Sequence, residues 1–168
     1  MRRLSFGVLF LALASHAPAA DHTVSVLVDA TPVLELVAPP EATATPVGKT
    51  VIHTTNLFLH VWPVTGAKTL DEAQDALDYL IKGDVRKFSA SATNAITIAG
   101  SPARLLTGSG LEAWDGHDTT VDVVIFGAGA WFFVACVHGE GNASSREREP
   151  MLQILRTAKS PQAPHAGK

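Results

Sequence analysis

The sequence predicts an α+β protein that folds as an α/β/α sandwich around a central, mostly antiparallel sheet. Two segments, at about 69–82 and 145–158, space their apolar residues as amphipathic helices do. Short turns separate four consecutive apolar segments, which predicts a meander of strands over 95–99, 103–111, 119–126 and 130–137. The last of these strands is apolar on both alternating faces, so we expect the two main helices to cover the sheet on both sides.

The N-terminus has the pattern of a secretory signal peptide. Two arginines precede an apolar run over residues 4–14, which is shorter than the roughly 20 residues needed to span a membrane. A small-x-small motif predicts cleavage after Ala19, with Ala20 as the alternative. We therefore expect residues 1–19 to be removed, leaving an exported, soluble protein without a membrane span, either periplasmic or secreted.

Residues 20–159 are enough for a single domain with a buried core. The tail over 160–168 combines proline, glycine and polar residues without an apolar period, so we expect it to be disordered. The net charge is −3 and no basic cluster follows the leader, which argues against a nucleic-acid partner. Cys136 is the only cysteine, so we expect no internal disulfide.

The first half of the domain is predicted to contain two pairs of short strands. In chain order these strands are 23–28, 32–37, 50–54 and 57–62. The first two are read either as separate strands or as one interrupted strand, and the last two as a hairpin closed by Thr55 and Asn56. The stretch 38–46, rich in Pro, Ala and Thr, is predicted to be a loop.

Both predicted helices carry sequence signals at defined positions. Thr69 is a suitable N-cap for the first helix, Glu72 is its reciprocal capping-box partner, and Gly83 supplies the stop. The second helix is expected to direct its apolar side chains toward the sheet, and these are Met151, Ile154, Leu155 and Ala158.

Three motifs in the second half resemble PsbP-like domains, a group of exported proteins named after a lumenal photosystem protein. They are "TIAGSPARLLTG", the hairpin "VDVVIFGAGAWFFVAC" and the terminal helix "REPMLQILRTAK", and they cover roughly residues 94–158. The usual opening strand of that group, aromatic-Pro-x-x-Trp, is replaced here by "VLELVAPPEA". The resemblance implies an α/β/α sandwich. It implies no particular function, because such folds host assembly factors and binding modules alike.

Two acidic, histidine-bearing segments emerge at the same end of the predicted meander: "EAWDGHD" over 112–118 and "VHGE" over 137–140. Because strands two apart lie roughly 10 Å from each other, side chains on these two loops can meet. Two histidines with a carboxylate would suit zinc, and the acids with loop carbonyls would suit calcium. The alternative is that "DG" forms an ordinary turn and the charges are solvated. The candidate metal ligands are Glu112, Asp115, His117, Asp118, His138 and Glu140.

A second candidate site lies on the first hairpin. A two-residue turn places His53 opposite Phe58 and His60 opposite Val51, so both histidines share a face with Phe58 and Trp62. Such a face is either a small aromatic–imidazole patch for a ligand or a partly exposed sheet surface that has no function.

The third candidate depends on the predicted cleavage. If the mature chain begins at Ala20, His22 is its third residue, and a free amine, two amide nitrogens and an imidazole can bind Cu(II) or Ni(II) in a square plane. The alternative is a histidine that falls by chance in a frayed terminus.

The function expected from the sequence is that of an exported, non-enzymatic binding or accessory module for an unknown protein or small molecule. No cofactor is required by this interpretation, although zinc or calcium is compatible with it. No nucleophile–base or paired-carboxylate motif indicates an enzyme. The alternative function is a metal-binding protein or metal-dependent hydrolase that uses the loops at 112–118 and 138–140.

Overall fold

The computed structural model describes residues 20–46, 49–140 and 143–161. The predicted leader over 1–19 and most of the predicted tail lie outside these residues. The strands are β1 His22–Val28, β2 Thr31–Ala38, β3 Thr43–Pro46, β4 Thr50–His53, β5 Leu57–Val64, β6 Val85–Ile98, β7 Ser101–Glu112, β8 Asp118–Ala128 and β9 Trp131–Gly139. The helices are α1 Leu70–Asp75, α2 Leu77–Ile81 and α3 Ser145–Arg156. Within the described residues, no helix is long and apolar enough to cross a membrane.

The main sheet has seven antiparallel strands in the order β3-β4-β5-β9-β8-β7-β6. After β5 the chain passes through α1 and α2 to the far edge, and the meander β6-β7-β8-β9 then returns across the sheet. This return places β9 directly beside β5, so strands distant in sequence form the centre of the sheet. Strands β1 and β2 pair with each other as a separate hairpin.

Apolar side chains pack against both faces of the sheet. Val124 and Phe126 belong to a core that also contains residues of α3 and of the β1–β2 hairpin. Their neighbours Val123 and Ile125 belong to a second core with residues of α1 and α2. Because successive side chains of a strand point to opposite faces, β8 is covered on both sides. The structure is therefore a sheet-rich α+β fold, as the sequence predicts.

The first predicted helix is interrupted in the structure. The helix expected over 69–82 divides at Ala76, where ψ is −9° and the helical hydrogen-bond ladder is broken. The ladder resumes when the Leu80 amide donates to the Ala76 carbonyl. Thr69 is the N-cap, as predicted, and its side chain accepts from the Glu72 amide. The apolar spacing that predicts one helix is compatible with this break, because it reports which side chains are buried and not whether the ladder is continuous.

Two strand boundaries also differ from the prediction. Part of the predicted loop over 38–46 forms the edge strand β3, and β6 begins at Val85 instead of at residue 95. Both strands lie at sheet edges, where most side chains face solvent and the apolar alternation used to recognise strands is weak. Gly108 permits the irregular pairing of β6, since a Cβ there would lie 2.1 Å from the Ser89 carbonyl oxygen.

Candidate functional site

Six rings gather on the second face of the sheet, next to the α1–α2 core, and we call them the aromatic–imidazole cluster. They come from β4, from β5, from β9 and from the turn between β7 and β8. Neighbouring rings lie 5.1–6.3 Å apart between centroids, within the range of favourable aromatic contacts. The members are His53, Phe58, His60, Trp62, Trp114 and His138.

Strand register explains why these rings share a face. Within the β4–β5 hairpin His53 pairs with Phe58 and Val51 with His60, which is the register that the sequence predicts. Between β5 and β9, Phe58 pairs with His138. The intervening residues Leu59 and Val61 are fully buried in the opposite core, so the even-numbered residues of β5 must face the cluster.

A histidine pair forms the centre of the cluster. The Nε2 atoms of His60 and His138 lie 3.2 Å apart, and the ring planes are inclined by 25°. The two residues are only 5 % and 0 % exposed. At this distance one Nε2 must donate a hydrogen bond and the other must accept it, so the two imidazoles hold complementary tautomers.

An ion pair lies behind the histidine pair. Asp84 Oδ1 is 3.3 Å from His60 Nδ1, and Lys49 Nζ donates to both carboxylate oxygens of Asp84. Lys49 Nζ also lies 5.2 Å from the centre of the Trp62 ring, a cation–π distance. The Nδ1 atoms of His60 and His138 are both buried, and neither forms a hydrogen bond with any described residue.

Burial keeps both histidines neutral. It lowers the pKa of His60 to about 2, with further lowering by the charge of Lys49 and by His138. Burial also lowers the pKa of His138 to about 4, although the nearby Asp84 carboxylate acts in the opposite direction. At neutral pH the pair therefore consists of two uncharged imidazoles.

The outer part of the cluster is accessible to solvent. Trp114 is 56 % exposed, yet its ring centroid lies 5.7 Å from that of His138 and 6.3 Å from that of Phe58. His53 stacks on Phe58 at 5.8 Å, and its Nδ1 contacts the Thr43 hydroxyl at 2.5 Å. The cluster thus has a buried imidazole centre and an aromatic rim formed by His53, Phe58 and Trp114.

The predicted metal ligands on the β7–β8 turn lie mostly in solvent. The His117 side chain is 78 % exposed, and its Nδ1 lies 3.0 Å from Asp115 Oδ2. Asp115 Oδ1 accepts from the His117 amide, which is typical of an Asx turn. Asp118 is exposed at the start of β8, whereas Glu112 is only 2 % exposed at the end of β7.

The two candidate ligands of the second predicted loop, His138 and Glu140, lie in different environments. His138 is fully buried against His60, whereas Glu140 is exposed just beyond β9. The structure therefore places His138 with a histidine of β5, and places His117 with its own turn. Among the described residues, no group of three His, Cys, Asp or Glu side chains is arranged to hold a metal ion. His22, the candidate copper or nickel ligand, lies at the start of β1 opposite Ala38.

Three residues of the site were not identified from the sequence: Lys49, Asp84 and Trp114. Lys49 precedes β4 and Asp84 precedes β6, and neither belongs to a motif. The link between His60 and His138 was also missed, although both residues had been proposed separately. The available signal was that β5 and β9 each carry a histidine among large apolar residues.

Comparisons with known proteins identify a similar fold. No family model and no curated protein sequence matches the chain. The crystal structure of LpqN from Mycobacterium tuberculosis, involved in cell envelope biogenesis, aligns with a TM-score of 0.51 and 17 % identity, covering 84 % of this chain and 91 % of LpqN. The protein PA94 from Pseudomonas aeruginosa, of unknown function and suggested to be a regulator, aligns with a TM-score of 0.46 and 14 % identity, covering 84 % of this chain and 99 % of PA94.

At 17 % identity the likeness to LpqN establishes the fold alone. Neither of these descriptions names the PsbP-like group, so membership of that group stays a prediction from the sequence motifs.

Proposed function

We propose that this chain is an exported, non-enzymatic binding or accessory module, and that its ligand contacts the aromatic rim of the cluster. One observation carries the proposal: Trp114 is 56 % exposed although its ring rests on Phe58 and His138. A half-exposed indole supported by a buried imidazole and a partly buried phenyl ring is a rigid apolar surface that loses little conformational entropy when a ligand binds. Flat aromatic or sugar rings are the ligand groups that such a surface suits best.

The predicted export of the chain and the similarity of its fold to that of LpqN support an accessory role. LpqN, which has a similar fold, is involved in cell envelope biogenesis, and an exported chain would reach the cell envelope. We also propose that residues 20–159 form one domain, and that the two packed faces of the sheet make it an α/β/α sandwich, as in the PsbP-like group.

The chemistry of the cluster favours binding over catalysis. Among the described residues, His60 and His138 have each other and Asp84 as polar neighbours, with no hydroxyl or thiol hydrogen-bonded to either imidazole. Cys136 is fully buried, and burial raises the pKa of its thiol, so it is not an activated nucleophile. The alternative of a metal-dependent hydrolase on 112–118 and 138–140 is not favoured, because its two histidines face different surroundings.

The proposal is tested with a set of flat aromatic and pyranose compounds, using the indole N–H signals of the three tryptophans in ¹⁵N NMR spectra. We expect at least one ring class to shift the Trp114 signal and to leave Trp131, which packs against the opposite core, unchanged. Trp114→Ala should weaken that binding by about 30-fold, the effect of losing a 2 kcal/mol contact residue.

The matched control is Tyr79→Ala, which removes another exposed aromatic side chain that makes none of the ring contacts of the cluster. Tyr79 is 71 % exposed and lies beside Lys82. The proposal is wrong if no compound shifts Trp114, or if binding is equally weakened in Tyr79→Ala.

A further inference from the structure

Three basic side chains line one cavity between α2 and the start of β6. The cavity has a volume of about 250 Å³, and its basic residues are Lys82, Arg86 and Lys87. None of the three forms an ion pair with a described residue, whereas Lys49 and Arg148 each have a carboxylate partner. Because the chain as a whole has a net charge of −3, the cavity is a local concentration of unpaired positive charge.

Two acidic residues lie near these cations in the sequence, but only one of them shares the cavity. Asp84 falls between the cations along the chain, yet its carboxylate accepts from Lys49 and lies 3.3 Å from His60 Nδ1. Asp78 lines the cavity itself. Three cations against one carboxylate leave the lining with a net charge of +2.

A β-bulge brings the two neighbouring cations of β6 to the same cavity. In a regular strand Arg86 and Lys87 would point to opposite faces of the sheet. Here the register with β7 shifts between Arg86 and Ser89, and Lys87 has a φ of 54°, in the left-handed region. Gly110 of β7 permits the bulge, because a Cβ there would lie 2.5 Å from Val85 Cγ1. Bulges and left-handed residues that redirect side chains in this way are common at functional sites.

Other contacts hold two of the cations in place. Arg86 Nη2 donates to the Ala113 carbonyl, which uses one of the five N–H donors of the guanidinium and leaves the others for an anion. Lys82 Nζ lies 4.1 Å from the centre of the Tyr79 ring, a cation–π distance. Apolar side chains of α2 and β6 form the remaining wall beside Asp78, which strengthens the attraction between these cations and an anion.

We propose that this cavity binds a phosphate monoester group. Such a group carries a charge of about −1.5 to −2 at pH 7 and has three strong acceptor oxygens, which suits a lining of one guanidinium and two ammonium groups. A volume of about 250 Å³ admits a phosphate with a short organic stem. The same group occurs on small soluble esters and on the headgroup of phosphatidic acid. The proposal is independent of the ring ligand at Trp114.

The test is isothermal titration of the protein with glycerol 3-phosphate, and with glycerol as the uncharged comparison. We expect one glycerol 3-phosphate per chain, with a Kd of roughly 10 µM–1 mM, and no binding of glycerol. Sedimentation with phosphatidylcholine vesicles, with and without phosphatidic acid, distinguishes the two sources of the phosphate. Binding to the phosphatidic acid vesicles alone would identify a lipid headgroup, and binding of glycerol 3-phosphate without vesicle binding would identify a soluble ester.

Replacement of the cations tests the lining. Arg86→Gln and Lys87→Gln should each weaken binding by about 10-fold, the effect of losing one charge-assisted hydrogen bond. The matched control is Lys159→Gln, which removes an exposed positive charge just after α3 and should leave the affinity unchanged.

Lys87→Gly separates loss of the site from loss of folding. Glycine adopts a positive φ without strain, so this variant should raise the midpoint of thermal unfolding while it weakens phosphate binding. Ala99→Gly is the matched control, because Ala99 also has a positive φ, of 51°, but does not line the cavity. It should raise the midpoint and leave the affinity unchanged.

The proposal is overturned if neither glycerol 3-phosphate nor phosphatidic acid vesicles bind, or if glycerol binds equally well. It is also overturned if the Arg86 and Lys87 variants bind glycerol 3-phosphate and the vesicles as the wild type does. None of these results affects the ring-binding test, since that test reads the Trp114 indole.

Discussion

Two buried polar clusters lie on opposite faces of the same sheet, and they differ in how completely their polar atoms are paired. On the α3 side, Arg148 and Asp122 are 1 % and 2 % exposed and form an ion pair of 2.7 Å. On the α1–α2 side, His60 and His138 are equally buried but share a single hydrogen bond.

In the Arg148 cluster every side-chain nitrogen and oxygen of the ion pair has a partner. Asp122 Oδ1 accepts from Thr107 and Oδ2 from Arg148 Nε. Arg148 Nη1 donates to the Thr120 hydroxyl and to the Ala143 carbonyl, and Nη2 donates to Ser145. These contacts fix the start of α3 on the sheet.

In the histidine pair neither Nδ1 atom forms a hydrogen bond with a described residue, although His60 Nδ1 lies 3.3 Å from Asp84 Oδ1. A fully paired cluster is explained by the fold it stabilises. The histidine pair is less completely hydrogen-bonded, so it should stabilise the fold less than the Arg148 cluster does. The difference between the two clusters therefore separates a structural contact from a candidate functional site, and the predictions below test that separation.

The largest effect is expected at the paired cluster. Arg148→Ala leaves the Asp122 carboxylate buried without its counter-charge, which should lower the free energy of unfolding by about 3–5 kcal/mol. Urea denaturation measures this loss. The matched control is Arg156→Ala, whose ion pair with Glu149 is about half exposed and should contribute less than about 1 kcal/mol. Equal losses in the two variants would contradict the structural role of the Arg148 cluster.

The histidine pair should make stability depend on pH. Burial lowers the pKa of both side chains below the unfolded value of about 6.5, so the unfolded chain binds more protons than the folded chain between about pH 4 and 6.5. The free energy of unfolding therefore falls as the pH falls, by about 4 kcal/mol for the pair between pH 8 and pH 5. Denaturation at several pH values measures it, and the double variant His60→Leu/His138→Leu should lose most of this dependence. A wild-type curve as flat as that of the double variant would mean that the pair is not buried and neutral.

The effects on stability of replacing His60 and His138 should not be additive. His60→Leu alone leaves the His138 imidazole without its only hydrogen bond and should cost about 1–3 kcal/mol. Replacing both histidines with leucine removes the unsatisfied atoms together, so the double variant should lie within about 1 kcal/mol of the wild type. If the losses simply add, the pair stabilises the fold, and the contrast with the Arg148 cluster disappears.

The smallest effect on stability is expected at the rim. Trp114→Ala removes a half-exposed ring and should change the free energy of unfolding by about 1 kcal/mol or less, since aromatic contacts contribute about 0.5–1.5 kcal/mol when buried. Thermal unfolding is sufficient to measure this. A loss above about 3 kcal/mol would make Trp114 a core residue and remove the basis for a ligand surface there.

Local patterns in the sequence were sufficient for the elements and for one hairpin, but not for the site. The register that pairs His53 with Phe58 follows from a two-residue turn, and the meander follows from short turns between apolar segments. Pairing of β5 with β9 joins strands about 75 residues apart and depends on the order of strands in the whole sheet. The sequence-based prediction therefore grouped His138 with His117, whose loop emerges at the same end of the meander, whereas the structure places His138 with His60.

Lys49, Asp84 and Trp114 show a second reason why the site could not be predicted from the sequence. Each lies outside the regular elements, where no periodicity predicts the direction of a side chain. Asp84 reaches His60 only because the turn after α2 ends beside β5 in the folded chain. Contacts of this kind arise from the fold as a whole, so they could be found only after the sheet order was known.

The most direct test of the buried, neutral histidine pair is a set of ¹⁵N NMR spectra of the imidazole rings, recorded from about pH 8 to about pH 5.5, a range that spans the ordinary histidine pKa. The account predicts that the signals of His60 and His138 stay at the positions of neutral imidazole over this range, because burial lowers the pKa of both side chains. Signals of the pair that titrate near the ordinary histidine value of about 6.5 would contradict it.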